Sequence, residues 1–268
     1  MNPFAFSCIT PHGTEIIPEL QGMYPERMSK TRKSMEEIGL EMGKANPDVI
    51  IVLTPHGTRI NGQFSITNSE NMSGYIEENN EVFSMVRNVD RELARSISKH
   101  ARDQALPVGL INYATESGPY SSLPMDWGVM VPLRFMPDVP IVVINPTREL
   151  SYEKHIEFGK ALNTAVRKSG KRAGLVASCD WSHTHDSTGP YGYHPAAQKL
   201  DEQVVQFVKQ NQLEKLECFD EEFVEAAKPD GIWQALILAG AIPSNERNVH
   251  FKSYEAPTYF GLLCASIY

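Results

Sequence analysis

A short apolar run that ends in Thr-Pro-His-Gly-Thr occurs twice near the start of this chain, at Thr10–Thr14 and again at Thr54–Thr58. Phe4–Ile9 leads into the first copy and Val49–Leu53 into the second, and each run is ended by Pro and Gly, the pattern of a buried strand entering a turn. Between them Met28, Met35, Ile38 and Met42 share one helical face while Lys30, Arg32, Lys33, Glu36 and Glu37 take the other, and Asn46-Pro47 closes the helix. A strand, helix, strand succession needs a crossover, so the two strands are expected to run parallel as neighbours. His12 and His56 then leave equivalent strand ends, the edge of an α/β sheet where ligands bind.

The alternation continues. Asp90–Gln104 reads as a helix before a strand at Val108–Asn112, and the β-branched run Val139–Asn145 is broken by Pro146. Tyr152–Lys168 is predicted helical, Gly174–Ser178 a buried strand, Pro195–Gln210 an amphipathic helix and Glu221–Gly240 a helical stretch, with strands at Val249–Tyr254 and Tyr259–Ile267. No linker divides residues 1–268, so the expectation is a single α/β domain with one mixed, mostly parallel sheet and helices on both faces. Asn68–Asn80, Thr115–Met125 and Thr184–Tyr193 read as ordered surface loops that wall a pocket.

Bulk properties exclude several classes. A mean hydropathy of -0.31, with no apolar run near the roughly 20 residues of a membrane span, argues against a membrane protein. A net charge of -8 offers no basic footprint for nucleic acid. Cys8, Cys179, Cys218 and Cys264 are scattered and form no C-x-x-C pair, so neither a disulfide framework nor a thiolate zinc site is expected. Nothing at Met1-Asn2-Pro3-Phe4 reads as an export leader, which points to the cytoplasm.

Two identical His-Gly turns at strand ends have no evident packing reason, and a metal is the simplest ligand for both imidazoles. No H-E-x-x-H or Cys-rich pattern completes such a site, so a carboxylate must come from elsewhere. Glu255 is the candidate, a charge between two strand-like runs, although it also reads as an ordinary turn carboxylate. Ser178-Cys179-Asp180-Trp181-Ser182-His183-Thr184-His185 follows another buried strand, which makes His183 a candidate acid–base. Alternatively His183 or His185 completes a three-histidine zinc site for hydrolysis. His185 reads as solvent-exposed, His194 could reach the pocket rim beside Pro195, and His100 and His155 are expected on helix surfaces. No phosphate-binding Gly motif or G-x-S-x-G elbow occurs.

Together these segments resemble the class III extradiol ring-cleavage dioxygenases, the family of the protocatechuate 4,5-dioxygenase β subunit, to which the Memo-like proteins are related. The carriers are Pro11-His12-Gly13, Pro55-His56-Gly57, Leu123–Leu133, Ser178–His183, Gly189-Pro190-Tyr191-Gly192-Tyr193 and Tyr254-Glu255. The resemblance implies a non-haem Fe(II), with Mn(II) as the alternative, held by His12, His56 and Glu255, and His183 as acid–base. It further implies a small aromatic substrate of catechol or 2-aminophenol type, O2 as co-substrate, and a homo-oligomer or a complex with a homologous subunit. Asp126, Trp127, His185, Tyr193 and His194 are the expected substrate-contacting residues.

In one respect the chain departs from the pattern. Family members commonly carry Asp-His-Gly where this sequence has Asp126-Trp127-Gly128. An indole donates a hydrogen bond but cannot act as a base, so Trp127 points to an altered phenolic substrate or to a ring-stacking role. The rival readings are a non-catalytic or Memo-like subunit of the same fold and a zinc-dependent hydrolase.

Overall fold

Both Thr-Pro-His-Gly-Thr turns leave the carboxyl ends of buried parallel strands in the computed structural model, which describes residues 2–268. In chain order the first half contains β1 (Phe4–Thr10), α1 (Ser29–Ala45), β2 (Val49–Leu53), β3 (Phe64–Thr67), β4 (Asn71–Glu78), β5 (Glu81–Asn88), α2 (Arg91–Asp103), β6 (Val108–Ile111), β7 (Ser122–Pro124) and α3 (Trp127–Leu133). The second half adds β8 (Ile141–Asn145), α4 (Tyr152–Ser169), β9 (Ala173–Ser178), α5 (Ala196–Lys209), α6 (Glu221–Ala227), α7 (Ile232–Ala241), β10 (Val249–Glu255) and β11 (Leu262–Ile267).

The main sheet has eight strands in the order β10-β11-β1-β9-β2-β8-β3-β6. β1, β9, β2 and β8 are mutually parallel, whereas β11 runs antiparallel to β1 and β3 antiparallel to β8, so the sheet is mixed around a parallel centre. The two His-bearing strands are parallel as expected but are not neighbours. β9 lies between them and pairs with both, as a later crossover can insert a strand into an open parallel edge.

One sheet face is covered by α1 and α3, where Met35, Ile38, Met42 and Val129 meet Phe6 and Val52. The other is covered by α2, α4, α5 and α7, where Ile97, Phe158, Leu162, Leu200 and Leu236 meet Ile51 and Leu175. α7 is buried at every position and crosses α4 so closely that a Cβ on Gly240 would lie 2.0 Å from the Ile156 carbonyl oxygen. Among the described residues no helix is long and apolar enough to cross a membrane.

Three expectations need correction. Asn68–Asn80 is no loop: it contributes β4, which pairs with β5 and β7 in a separate three-stranded sheet. β4 and β5 turn through Asn79 and Asn80, both left-handed, and Met72 and Met85 pack inward while Tyr75, Val82 and Val86 face solvent, which obscures the strand pattern. Glu221–Gly240 is two helices, because left-handed Lys228 and Pro229 end α6 before α7 begins. His155 is fully buried, not on a surface: its ring edge meets Phe64 at 5.1 Å and its Nδ1 donates to the Ser151 carbonyl at 2.9 Å.

Candidate active site

The carboxyl ends of β1, β9, β2 and β8 open on one edge, and the loops that leave β1, β9 and β2 carry the histidines of the site. His12 follows β1 and is 1% exposed. Its Nδ1 lies 2.9 Å from Ser178 Oγ, and that hydroxyl donates to the Gly128 carbonyl at 2.6 Å. Having spent its only proton there, Ser178 must accept from His12, so Nδ1 carries the hydrogen and Nε2 presents a lone pair to the centre. His183 is held in the same way. Its Nδ1 donates to the Lys228 carbonyl at 2.8 Å, an acceptor only, which leaves Nε2 free toward Asp230.

His56 leaves β2 through a loop clamped by Asn145, whose amide donates to the Thr54 and His56 carbonyls. Gly57 is left-handed there, and a side chain on it would strike Asp126 Oδ2 at 2.7 Å. The result brings His56 Nε2 to 3.1 Å from His12 Nε2, with the rings at 88°. Asp230 completes the cluster from the α6–α7 turn: its Oδ2 is 3.2 Å from His12 Nε2, 3.6 Å from His56 Nε2 and 4.0 Å from His183 Nε2. Asp180 lies behind. Its Oδ1 accepts the His12 amide at 2.9 Å, its own amide donates to Asp230 Oδ1 at 2.9 Å, and its Oδ2 is 3.4 Å from His12 Nε2.

Electrostatics follow from that crowding. Burial alone would push the His12 pKa down, but Asp180 and Asp230 outweigh it and raise it to about 9. Burial opposes the ionised Asp230 carboxyl, yet the charge and hydrogen bond of His12, the hydrogen bond of His56 and the charge of His183 hold it far below the usual carboxylate range. Asp180 and Asp126 shift upward, chiefly through burial. Two imidazole nitrogens facing each other at 3.1 Å need a proton or a cation between their lone pairs. His12, His56 and Asp230 offer ligand atoms that all lie within 4.8 Å of one another, as do Asp180, His183 and Asp230. Nitrogen and oxygen donors without thiolate fit a divalent metal of the Fe(II), Mn(II) or Zn(II) type.

Glu255 is not in this cluster. It ends β10, and its Oε1 accepts from the amide and hydroxyl of Thr31 at 2.8 and 2.5 Å, where the first turn of α1 has unpaired N–H groups that attract a carboxylate. The carboxylate beside the histidines is Asp230 instead. Its signal in the sequence is Lys228-Pro229-Asp230-Gly231, a turn signature inside an otherwise helical stretch.

Trp127 opens α3, is 46% exposed and lies tilted by 33° over the His56 ring at 4.2 Å. Asp126 supports the site from outside, accepting from Thr54 Oγ1 at 2.9 Å. The remaining three expected contact residues lie elsewhere. His185 is not solvent-exposed but pairs with buried Asp201 at 2.8 Å, a carboxylate that also accepts Tyr254 OH at 2.6 Å. Tyr193 is 60% exposed opposite His185, and His194 is spent on the start of α5, its Nδ1 accepting from the Ala196 amide at 3.1 Å. The cavity in front of the histidines, about 660 Å³, is walled instead by Trp127, Tyr191, Tyr259 and Phe260 together with His12, His56 and His183. Phe260 lies nearly parallel to the His183 ring at 5.6 Å.

Comparison with known proteins agrees with this architecture. The chain is 27% identical over 252 residues to Protein CA_C1420 of Clostridium acetobutylicum, a match covering 92% of this chain and 54% of that protein. The chain therefore spans about half the length of the curated relative it matches. The crystal structure of the uncharacterised protein JW3007 from Escherichia coli K12 has the same fold, with a TM-score of 0.64 and 18% identity over 97% of this chain and 98% of that one. Residues 7–262 match the family described as the catalytic LigB subunit of aromatic ring-opening dioxygenase. With nearly its whole length in that match, this chain belongs to the LigB family.

Proposed function

We propose that the chain is a non-haem Fe(II)-dependent extradiol dioxygenase that opens the ring of a catechol or 2-aminophenol-type substrate, its metal held by His12, His56 and Asp230. The observation that carries this reading is the convergence of two histidine Nε2 atoms and one carboxylate oxygen at 3.1 to 3.6 Å beside an aromatic-walled cavity. Two histidines and one carboxylate suit oxygenase iron, and the same donors accept Mn(II). Once bound, such a cation supplies a Lewis acid and redox partner that brings the substrate heteroatoms and O2 together.

The protein's own residues supply the rest. His183 takes a proton from the substrate hydroxyl at Nε2 and returns it later, because its Nδ1–H is committed to the Lys228 carbonyl and its ring is fixed against Phe260. Ser178 sets the His12 tautomer, and Asp180 holds the His12 amide so that the ring cannot swing out. Trp127, Tyr191 and Tyr259 form flat apolar walls that orient an aromatic ring and exclude water.

The test is anaerobic purification with metal analysis, followed by oxygen uptake on addition of Fe(II) with catechols and 2-aminophenols. Stoichiometric iron with substrate-dependent oxygen consumption is expected. Bound zinc without oxygen uptake would replace this reading with a hydrolase. A chain that takes up no metal would instead be a non-catalytic subunit.

A further inference from the structure

The outer edges of the two sheets are not defended alike. β10, at one edge of the main sheet, breaks register between Phe251 and Ser253 around Lys252, and β6, at the other, is four residues long. β7, on the small sheet, has three residues and ends in Pro124. Short strands, irregular register, lysine and proline are the usual means of keeping a sheet edge from pairing with another chain. β5, the opposite edge of the small sheet, has none of them. It runs eight residues in unbroken antiparallel register with β4 and contains neither Lys nor Pro.

The ladder fixes which backbone groups of β5 are unpaired. The Val89 amide donates to the Glu70 carbonyl, so alternate residues back along the strand, Arg87, Met85, Phe83 and Glu81, turn their N–H and C=O groups to β4. Val82, Ser84 and Val86 turn theirs outward. In agreement, the Val86 carbonyl accepts from Arg87 Nη1 at 3.1 Å. Phe83 and Met85 pack inward, while Val82 is 60% and Val86 62% exposed on the outer face, beside Tyr75 of β4. Apolar residues on both faces are the pattern of a covered strand, yet Val82 and Val86 lie bare.

The sequence of this edge is complementary to itself. Laid antiparallel on a second copy about Ser84, Glu81-Val82-Phe83-Ser84-Met85-Val86-Arg87 sets Glu81 opposite Arg87, Val82 opposite Val86, Phe83 opposite Met85, and Ser84 opposite its own equivalent. The residues brought face to face at the edge are then Val82, Ser84 and Val86, the ones with outward N–H and C=O groups, so the new ladder is in phase. The neighbouring in-phase registers set Glu81 opposite Met85, or Arg87 opposite Phe83, and lose the ion pair. Glu81 forms no ion pair among the described residues. Arg87 faces exposed Asp138 through Nε at 3.3 Å and the Val86 carbonyl through Nη1, which leaves Nη2 for a further carboxylate.

We propose that β5 is a self-association edge, through which two copies of this chain pair antiparallel about Ser84 and join their small sheets into one continuous sheet across a two-fold axis. The symmetry repeats each contact, so Glu81 and Arg87 pin the register at both ends and Val82 meets Val86 of the other copy on the outer face. The interface stands apart from the histidine cluster and does not depend on the reaction performed there.

Sedimentation equilibrium of the full chain tests this, with a monomer–dimer equilibrium expected. Ser84→Pro deletes an outward N–H and spares the ladder to β4, so a folded but monomeric protein is expected. Glu81→Arg and Arg87→Glu each set like charges opposite one another at both symmetric positions, and each is expected to raise the dissociation constant about 10-fold. Mixing those two variants restores opposite charges at both positions, and dimers near wild-type affinity are expected to return. Thermal unfolding identifies any variant that fails to fold, and if Ser84→Pro is one, the charge variants decide. Wild-type protein that stays monomeric at every concentration overturns the proposal and leaves the edge to a foreign strand or to solvent. A dimer that survives in folded Ser84→Pro protein, or a mixture no tighter than either charge variant alone, overturns it as well.

Discussion

His12 and His155 are both fully buried, yet their surroundings drive them in opposite directions. His155 sits among apolar neighbours with a backbone carbonyl for company, and burial pushes its pKa down to about 4. His12 sits between Asp180 and Asp230, which overcome the same burial and raise it to about 9. A structural histidine is kept neutral by its surroundings, whereas one beside gathered carboxylates occupies a place that holds positive charge, whether a proton or a metal. Burial alone therefore does not identify a site. The carboxylates placed around the buried ring do.

Removing Asp230 attacks that contrast most directly. Asp230→Asn keeps the shape but removes the charge, and metal affinity in chelator competition is expected to fall by at least the roughly 10- to 100-fold typical of outer-shell partners. Unchanged affinity would remove Asp230 from the metal site. The next largest effect is on pH dependence in metal-free protein. His12, raised from 6.5 to about 9, contributes stability that is complete below pH 6.5 and lost as pH rises through about 9. His155, lowered from 6.5 to about 4, contributes stability that is complete above pH 6.5 and lost as pH falls toward about 4. Each arm is worth on the order of 3 kcal/mol. Urea unfolding across this range is expected to lose the alkaline arm in His12→Gln and the acid arm in His155→Leu; an alkaline arm that survives in His12→Gln would assign it to another group.

Two smaller effects sharpen the boundary between site and scaffold. Glu255→Ala removes the acceptor from the first turn of α1, so a stability loss of about 1 kcal/mol with unchanged metal affinity is expected. Reduced metal binding in a folded Glu255→Ala protein would return that residue to the site. Trp127→Ala removes the indole that lies over His56, for which a rise in KM equivalent to about 1 kcal/mol is expected with kcat less affected. Identical KM values across a phenol panel would mean that the indole does not touch substrate.

Much of the architecture was legible because strand, helix and strand follow each other with clear periodicity, and strand ends mark the reactive edge of such sheets. His12, His56 and His183 were readable on those grounds, each directly beyond a buried run. Asp230 was not, because its turn interrupts a stretch whose apolar residues continue at helical spacing on both sides, and nothing local tells that the turn reaches β1. Glu255 misled for the converse reason: a lone charge in an apolar neighbourhood needs a partner, but the partner was the start of α1. β4 and β5 carry little strand signal, since a sheet with one solvated face needs few apolar residues, and Asn79-Asn80 is the only strong turn mark between them. His185 was misplaced because its partner Asp201 lies on α5, outside the local pattern.

The insertion of β9 between β1 and β2 has a consequence for the order in which the molecule becomes competent. An emerging chain that has reached β8 already contains both histidine turns, but the strand that spaces them, which ends at Ser178 and leads to Asp180, has yet to dock, and Asp230 follows later still. Such late closure of distant segments is slow relative to local helix formation. Any cation captured at the full site is therefore a reporter of the completed sheet, and its binding energy stabilises the finished fold without rewarding the half-built one.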